Sequence, residues 1–248
     1  DRISKEPEII EKLKKLEPDF FVTFAFGQIL SQEVIDIPKF GVINLHASLL
    51  PQYRGPSPIA QAIIDGCSYS GITTMKTELE LDAGDICLQE KIDIPLDMNV
   101  IELMEEISNK SPLLLDKTLK GLYNNTLKPT PQDHTKATFT KKILKEQKQI
   151  DWSYDAFNIH NKIRGMYLIN TNHTKHNNKL IKILKTQFLE NKTINKPGEI
   201  IEIDKEGIVV GSKQGTIKIL TLKPEGKGEM KAFDWSMGSR IKKGDFFE

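Results

Sequence analysis

The sequence has few cysteines and no long apolar stretch, and each scarcity limits the class of protein. Its 248 residues include only two cysteines, Cys67 and Cys87, whose spacing fits no metal-binding motif. We therefore expect neither thiol to form a disulfide, as is usual in a reducing cytoplasm. No apolar run reaches the roughly 18 residues that a membrane helix requires, and the charged first residues do not resemble a signal peptide. The sequence thus predicts a cytoplasmic globular protein with no membrane partner.

The charged residues are unevenly divided along the chain, although the formal net charge is only +1. Residues 1–127 contain 12 basic and 20 acidic side chains, a net charge of −8. Residues 128–248 contain 23 basic and 14 acidic side chains, a net charge of +9. An acidic body joined to a basic module favours a polyanionic partner for the module. Charge does not distinguish a nucleic acid from a membrane surface, and lysines that merely solubilise a small domain are the alternative interpretation.

Apolar segments of strand length alternate with helical patterns in the first half of the chain. A helical pattern at 100–122 is the longest in the sequence. Strands that alternate with helices predict an α/β domain over residues 1–127, with a mainly parallel, Rossmann-like sheet. The apolar runs that predict its strands, of which the first two are typical of buried strands, are 20–26, 41–45, 73–79 and 85–94.

The second half of the chain follows a different pattern. Residues 128–149 are polar and basic and carry two prolines, so they predict a linker. A helix is expected from Asp155 to Arg164. Short strand-like runs then alternate with glycine, asparagine and proline, which predicts a small antiparallel, OB-like β barrel over residues 150–248. These runs are 180–189, 198–203, 207–211 and 215–222.

Asn44, His46 and Asp82 are the candidate catalytic residues. Asn44 and His46 lie two residues apart at the carboxyl end of a predicted strand, so their side chains project together where open α/β sheets place their sites. Asp82 lies in a turn after another predicted strand and is expected to reach the same crevice. An amide, an imidazole and a carboxylate suit acyl transfer to an amine, with Asn and protonated His stabilising an oxyanion and Asp holding the His. Taken alone, His46 is more simply a hydrogen-bonded core histidine.

Three motifs in order along the chain resemble the formyltransferases that use 10-formyl-tetrahydrofolate. Residues 44–58 (NLHASLLPQYRGPSP) match that family's Asn-x-His, Ser-Leu-Leu-Pro and Arg-Gly-x-x-Pro signature. Residues 81–86 (LDAGDI) match its Leu-Asp-x-Gly turn. Residues 26–30 (FGQIL) are similar to its Tyr-Gly-x-Ile-Leu segment, with Phe26 in place of tyrosine and Ser31 in place of the usual proline.

The resemblance implies roles for particular residues. It implies that Asn44, His46 and Asp82 form the catalytic trio, and that 10-formyl-tetrahydrofolate is the co-substrate, with no metal. No serine or cysteine lies in a recognised nucleophile motif, so we expect direct transfer without a covalent intermediate. The residues implied to border the folate are Phe26, Gly27, Ser48, Leu49, Leu50 and Pro51.

The segment after the first domain narrows the choice among formyltransferases. Residues 131–143 and 150–152 resemble the family members that carry an additional barrel domain. Because the linker and the barrel are basic, we expect the acceptor to be methionyl-initiator tRNA, formylated for translation initiation by a monomer. A sugar nucleotide or small amine as acceptor, or an inactive truncated protein that only binds, are the alternatives. The lysines expected to contact phosphates, unless they only solvate the linker, are Lys141, Lys142, Lys145 and Lys148.

The beginning of the chain differs from that of the family. Catalytic domains of this family begin with further strand–helix units, and two such units take roughly sixty residues. The chain instead starts directly in a helical pattern, so we expect it to lack the N-terminal part of the catalytic domain. Without the neighbouring strand, the run at 20–26 is expected to be an exposed hydrophobic edge.

Overall fold

The computed structural model describes residues 3–191 and 193–248, apart from the side chains of Ser4 and Lys145. The chain forms two compact units that interleave in sequence. Unit 1 contains the described residues up to Ile59, together with Tyr69–Ile94 and Met104–Lys142. Unit 2 contains the remaining described residues, and each unit has its own sheet. The boundaries expected at 127 and 149 stay a prediction.

Unit 1 is built around a four-stranded sheet in the order β1-β2-β3-β4. β1 pairs with β2 in parallel, whereas β2–β3 and β3–β4 are antiparallel. The sheet is therefore mixed, and the prediction of a mainly parallel sheet is wrong. The helices and strands from the first to the last of this half of the chain are α1 (Pro7–Lys15), β1 (Phe21–Phe24), α2 (Gln32–Ile35), β2 (Val42–His46), α3 (Pro58–Ile64), β3 (Tyr69–Lys76), β4 (Ile86–Asp93) and α4 (Val100–Tyr123).

The connections explain why the strand direction was misjudged. Only a short turn separates β3 from β4, and a parallel pair needs a crossover of a dozen or more residues. The connection from β2 to β3 contains α3, so in sequence it resembles a crossover, although the chain returns antiparallel. A helix between two strands thus does not by itself establish a parallel pair.

β2 is the best-buried strand of this sheet, and its two faces belong to different clusters. Val42 packs with Ile10 and Val34, whereas Ile43 packs with Cys87 and Leu122. Burial raises the pKa of the Cys87 thiol to about 11, and neither cysteine forms a disulfide. The apolar run at 41–45 therefore predicted a buried strand correctly.

β1 differs from β2 because it lies at the edge of the sheet. Val22 and Phe24, on the same side of the strand, are 45% and 51% exposed. The expectation of an exposed hydrophobic edge is confirmed. The other expectation from the apolar run, a strand buried on both faces, is wrong for β1.

Unit 2 contains a sheet in the order β5-β6-β9-β8-β7, with β10 also on β9, and all of its pairs are antiparallel. Register shifts in β6 and β7 bend these strands, and the sheet curls into a half-barrel. The predicted strands are confirmed. The elements are α5 (Ala156–Gly165), β5 (His173–His176), β6 (Lys179–Leu189), β7 (Ile200–Ile203), β8 (Ile208–Gly211), β9 (Thr216–Pro224), β10 (Met230–Lys231) and α6 (Ala232–Ser239).

The core of unit 2 is formed by the inward face of the curled sheet together with α5 and α6. Its aromatic part is a stack in which Phe247 lies 6.0 Å from Trp152 and 6.1 Å from Trp235, measured between ring centroids. The aliphatic side chains of β6, β8 and β9 complete it. Over the described ranges, none of the helices combines the length and the apolar character that crossing a bilayer would require.

His160 is a buried polar residue of α5 and is 1% exposed. One ring nitrogen lies 2.9 Å from the hydroxyl of Thr186, and the other lies 3.0 Å from the carbonyl oxygen of Leu96. Burial lowers the pKa of His160 below its ordinary value of 6.5, because the charged imidazolium loses its hydration.

We predict that His160 makes the free energy of unfolding depend on pH. The unfolded chain binds a proton near pH 6.5, whereas the folded chain binds it only at lower pH. The contribution of His160 to the free energy of unfolding is therefore fully present above pH 6.5. It decreases as the pH falls below 6.5, by up to about 1.4 kcal/mol per pH unit. His160→Gln should reduce the loss between pH 7 and pH 5, as measured by urea unfolding. An unchanged pH dependence in this variant would contradict the prediction.

Candidate active site

Asn44 and His46 lie on one face of β2, at its carboxyl end. The side-chain oxygen of Asn44 accepts a hydrogen bond from the hydroxyl of Thr23 at 2.9 Å. Thr23 is the register partner of Asn44 on β1, so the two strands set this contact. Because the amide oxygen is occupied, the amide NH₂ points elsewhere, and it has no hydrogen bond to the described residues. Asn44 therefore presents a free N–H donor beside His46.

The imidazole of His46 is held at both nitrogens. Nε2 lies 2.8 Å from the carbonyl oxygen of Tyr53, and since a carbonyl only accepts, Nε2 carries a hydrogen. Nδ1 faces Oδ2 of Asp82 at 3.6 Å. When Nδ1 also carries a proton, the ring and the carboxylate form an ion pair. His46 is only 6% exposed, so this pair is largely shielded from water.

Asp82 lies in the turn between β3 and β4. Its backbone is left-handed, with a φ of +51°, which is uncommon for any residue other than glycine. Oδ2 accepts a hydrogen bond from the backbone N–H of Gly55 at 2.7 Å. The carboxylate thus lies between Gly55 and His46. The structure brings His46 and Asp82 together, as the sequence predicted, and Asn44 projects from the same strand face as His46.

The loop after β2 is fixed by side chains of the next two strands. The hydroxyl of Thr73 donates to the carbonyl of Ser48 at 2.6 Å and accepts the N–H of Leu50 at 3.1 Å. Gln89 donates to the carbonyl of Leu50 at 2.9 Å. Ser48 and Leu50 are buried, and Leu49 and Pro51 are half-buried. A role for these four residues in folate binding stays a prediction.

Phe26 and Gly27 follow β1. Because β1 and β2 are parallel, this segment leaves the sheet at the same edge as His46. Phe26 is 39% exposed, and apart from the adjoining residues no described atom lies within 4 Å of the position that a Cβ on Gly27 would occupy. The segment is thus open at the edge that carries the trio.

Several residues that surround the trio were not assigned from the sequence. Arg54 is 1% exposed, and its guanidinium donates to Oε1 of Gln132 at 2.7 Å through Nη2. The backbone N–H of Arg54 donates to the carbonyl of Thr138 at 2.9 Å, and the backbone N–H of Thr140 donates to the carbonyl of Arg54 at 2.7 Å. Arg54 and Gln132 each lie in a motif that marks the family, but nothing in the sequence links positions 78 residues apart.

The lysines expected to contact phosphates are not part of this cluster. Lys141 and Lys142 are exposed and form no hydrogen bond or ion pair with the described residues. Lys148 is half-buried. Lys145 belongs to a described 3-10 helix (Lys145–Lys148), but its side chain lies outside the described part. Within residues 3–191 and 193–248 no group of His, Cys, Asp and Glu is arranged to hold a metal ion.

Known proteins resemble the chain over nearly all of its length. The model of the formyl transferase family matches residues 1–119, and that of the formyl transferase C-terminal domain matches residues 142–240. The methionyl-tRNA formyltransferase of Caldicellulosiruptor saccharolyticus is 42% identical over 99% of this chain and 79% of its own length. That of Clostridium botulinum is 43% identical over 91% of this chain and 73% of its own length.

A solved structure shows the same fold at lower sequence identity. HypX from Aquifex aeolicus, in complex with tetrahydrofolic acid, superposes with a TM-score of 0.68 at 19% identity. The match covers 98% of this chain and 44% of HypX. Identity of about 40% over most of the chain, together with the two matched domains, leaves one assignment. The chain belongs to the methionyl-tRNA formyltransferase family.

Proposed function

We propose that the chain transfers the formyl group of 10-formyl-tetrahydrofolate to the α-amine of methionine on initiator tRNA. The observation that carries this proposal is the contact of the His46 imidazole with the Asp82 carboxylate, beside the free amide donor of Asn44. The neutral amine attacks the formyl carbon and forms a tetrahedral intermediate. The bond from that carbon to N10 of the folate then breaks, the amine loses a proton, and N10 gains one. Tetrahydrofolate and formyl-methionyl-tRNA are the products.

The oxyanion of the tetrahedral intermediate needs donors that are already oriented. Thr23 holds the amide oxygen of Asn44, so the amide N–H does not have to reorient during the reaction. In a site with little water, donors fixed in this way lower the activation free energy by several kcal/mol. Asn44 therefore stabilises the oxyanion as a neutral donor, and protonated His46 adds a positive charge.

Asp82 keeps His46 charged and oriented. The carbonyl of Tyr53 fixes the hydrogen on Nε2, which leaves Nδ1 as the nitrogen that faces Oδ2 of Asp82, 3.6 Å away, so that a proton on Nδ1 completes an ion pair. The carboxylate also receives the N–H of Gly55, which prevents it from turning away from the imidazole. A proton passes from the amine to N10 through water under the control of this pair.

Two facing lysines on unit 2, and a histidine beside them, support a phosphate-bearing acceptor. His173 on β5 lies opposite Lys182 on β6, and Lys182 lies opposite Lys223 on β9. Like charges directly opposite one another destabilise a sheet, so this arrangement costs stability unless an anion neutralises it. Burial is the main reason why the pKa of His173 is lowered, and the charges of Lys175, Lys148 and Lys182 lower it further.

We define the lysine patch as Lys148, Lys175, Lys182 and Lys223. Lys148, one of the four lysines expected to contact phosphates, is thus part of a larger basic surface. Lysine ammonium groups bind phosphates as point charges and read no sequence. We infer that the patch holds the tRNA backbone and that the curled sheet beneath it is an OB-like barrel. The linker limits 128–149 and the contacts of Lys141, Lys142 and Lys145 remain part of this proposal.

The first prediction concerns the trio. Asp82→Asn and His46→Ala should each lower kcat for formylation of charged initiator tRNA by about 10²- to 10⁴-fold, because the imidazolium loses its counter-ion or is absent. Asp93→Asn is a matched control, since Asp93 is exposed on β4 and pairs only with Lys91 among the described residues. Its kcat should equal that of the wild type. Near-normal rates in a trio variant would remove that residue from the mechanism.

The second prediction concerns the lysine patch. Replacing Lys182 and Lys223 together by alanine should weaken tRNA binding and flatten its dependence on salt by about one unit of log–log slope per lost phosphate contact. The affinity is measured by titration at several salt concentrations. Lys117→Ala, at an exposed position of α4, is the control and should leave both quantities unchanged. Unaltered affinity and slope in the double variant would exclude the patch from the tRNA interface.

A further inference from the structure

Gln132 connects two parts of the candidate active site, the loop after β2 and the Asp82 turn. It is 5% exposed, and both ends of its amide are occupied. Oε1 accepts from Nε and Nη2 of Arg54 at 3.2 and 2.7 Å. Nε2 donates to the carbonyl of Asp82 at 2.9 Å and to that of Gly84 at 2.7 Å. The amide therefore spans from the arginine to the turn that carries the catalytic carboxylate.

Arg54 determines which way this amide faces. A guanidinium has only donors, so the oxygen of Gln132 must point towards it. The NH₂ group is then directed at the Asp82 turn, where two carbonyls receive its two hydrogens. Arg54 is in turn fixed by its backbone pairs with Thr138 and Thr140. The orientation of the amide is thus imposed by its surroundings and does not depend on the side chain's own preference.

The turn that Gln132 holds is conformationally demanding. Asp82 has a φ of +51°, and a Cβ on Gly84 would lie 2.0 Å from the carbonyl oxygen of Lys76. A left-handed residue other than glycine persists only where its surroundings compensate for the backbone strain. The two hydrogen bonds from Gln132, together with the N–H of Gly55 on the carboxylate, are contacts of this kind.

We propose that Gln132 is a positioning residue for formyl transfer, which sets the Asp82 carboxylate against His46. This inference rests on the proposed function. Arg54 and Gly55 are consecutive, and they reach the Asp82 turn by two routes. Gly55 binds the carboxylate directly, and Arg54 acts through Gln132 on the backbone. If Gln132 is lost, the hydrogen bond from Gly55 is the restraint that remains on the carboxylate. The separation of 3.6 Å between the carboxylate and Nδ1 of His46 is then no longer maintained.

Two variants separate the accepting and donating ends of Gln132. Gln132→Ala removes both ends. Gln132→Glu keeps an acceptor for Arg54 but places an oxygen against the two carbonyls of the turn. We expect both variants to lower kcat by about 10- to 100-fold, since small displacements of a catalytic group have effects of this size. KM for 10-formyl-tetrahydrofolate and for charged tRNA should stay within about threefold of the wild type, because Gln132 contacts neither in this proposal.

Gln32→Glu is the matched control. Gln32 is exposed on α2 and donates to Asp36 at 2.7 Å, so the same chemical change there should leave kcat unaltered. The double variant of Gln132→Ala with Asp82→Asn should be no slower than Asp82→Asn alone, because both changes act on one carboxylate. A full kcat in Gln132→Glu, or losses that multiply in the double variant, would overturn the proposal.

A spectroscopic measurement makes the test independent of turnover. The ring ¹⁵N chemical shifts of His46 at pH 7 should change in Gln132→Ala in the same direction as in Asp82→Asn. A merely structural role would lower the melting temperature and leave these shifts as in the wild type, which would overturn the proposal. If the wild-type chain transfers no formyl group, the proposed function fails for this chain, and the chemical shifts still decide whether Gln132 positions Asp82.

Discussion

The carboxylate of Asp82 has to be held in a poorly hydrated site, and the active-site region is arranged around this constraint. A carboxylate that loses its water needs hydrogen bonds and an opposite charge to remain ionised. Gly55 supplies a hydrogen bond, and the imidazole of His46 faces the carboxylate at 3.6 Å. The loop after β2 must therefore fold back far enough to bring Gly55 to the β3–β4 turn. The contacts of Ser48, Leu50 and Arg54 with neighbouring segments are the means by which the loop is held in that position.

The sequence predicted the parts of this arrangement that depend on local periodicity. Alternation along β2 placed Asn44 and His46 on one face, and its apolar residues indicated burial. The pairing directions were not accessible in the same way, because α3 lies between two strands that are antiparallel. Arg54 and Gln132 were also not found, since only the folded chain brings them together. Local pattern thus defines the elements, whereas long-range hydrogen bonds define the site.

The sheet of unit 2 contains a pair of like charges that does not contribute to its stability. Its core is apolar, but Lys182 on β6 lies directly opposite Lys223 on β9. A sheet selected only for stability would alternate charges at these positions. A polyanion bound at the proposed lysine patch would offset this cost and would couple occupancy of the patch to the stability of the unit. The acidic character of residues 1–127 and the basic character of residues 128–248 are consistent with such a division of tasks.

The hydroxyl of Thr73 on β3 restricts which residues can occupy its position. Its hydroxyl oxygen donates to Ser48 and accepts from Leu50 and from Gln89, which uses all of its hydrogen-bonding capacity. Valine has the same shape but would remove the partner of the Ser48 carbonyl and of the Leu50 N–H at a fully buried side chain. Among side chains of this size, only threonine and serine provide a hydroxyl for these contacts. The loop after β2 is therefore held in shape by one hydroxyl of the neighbouring strand.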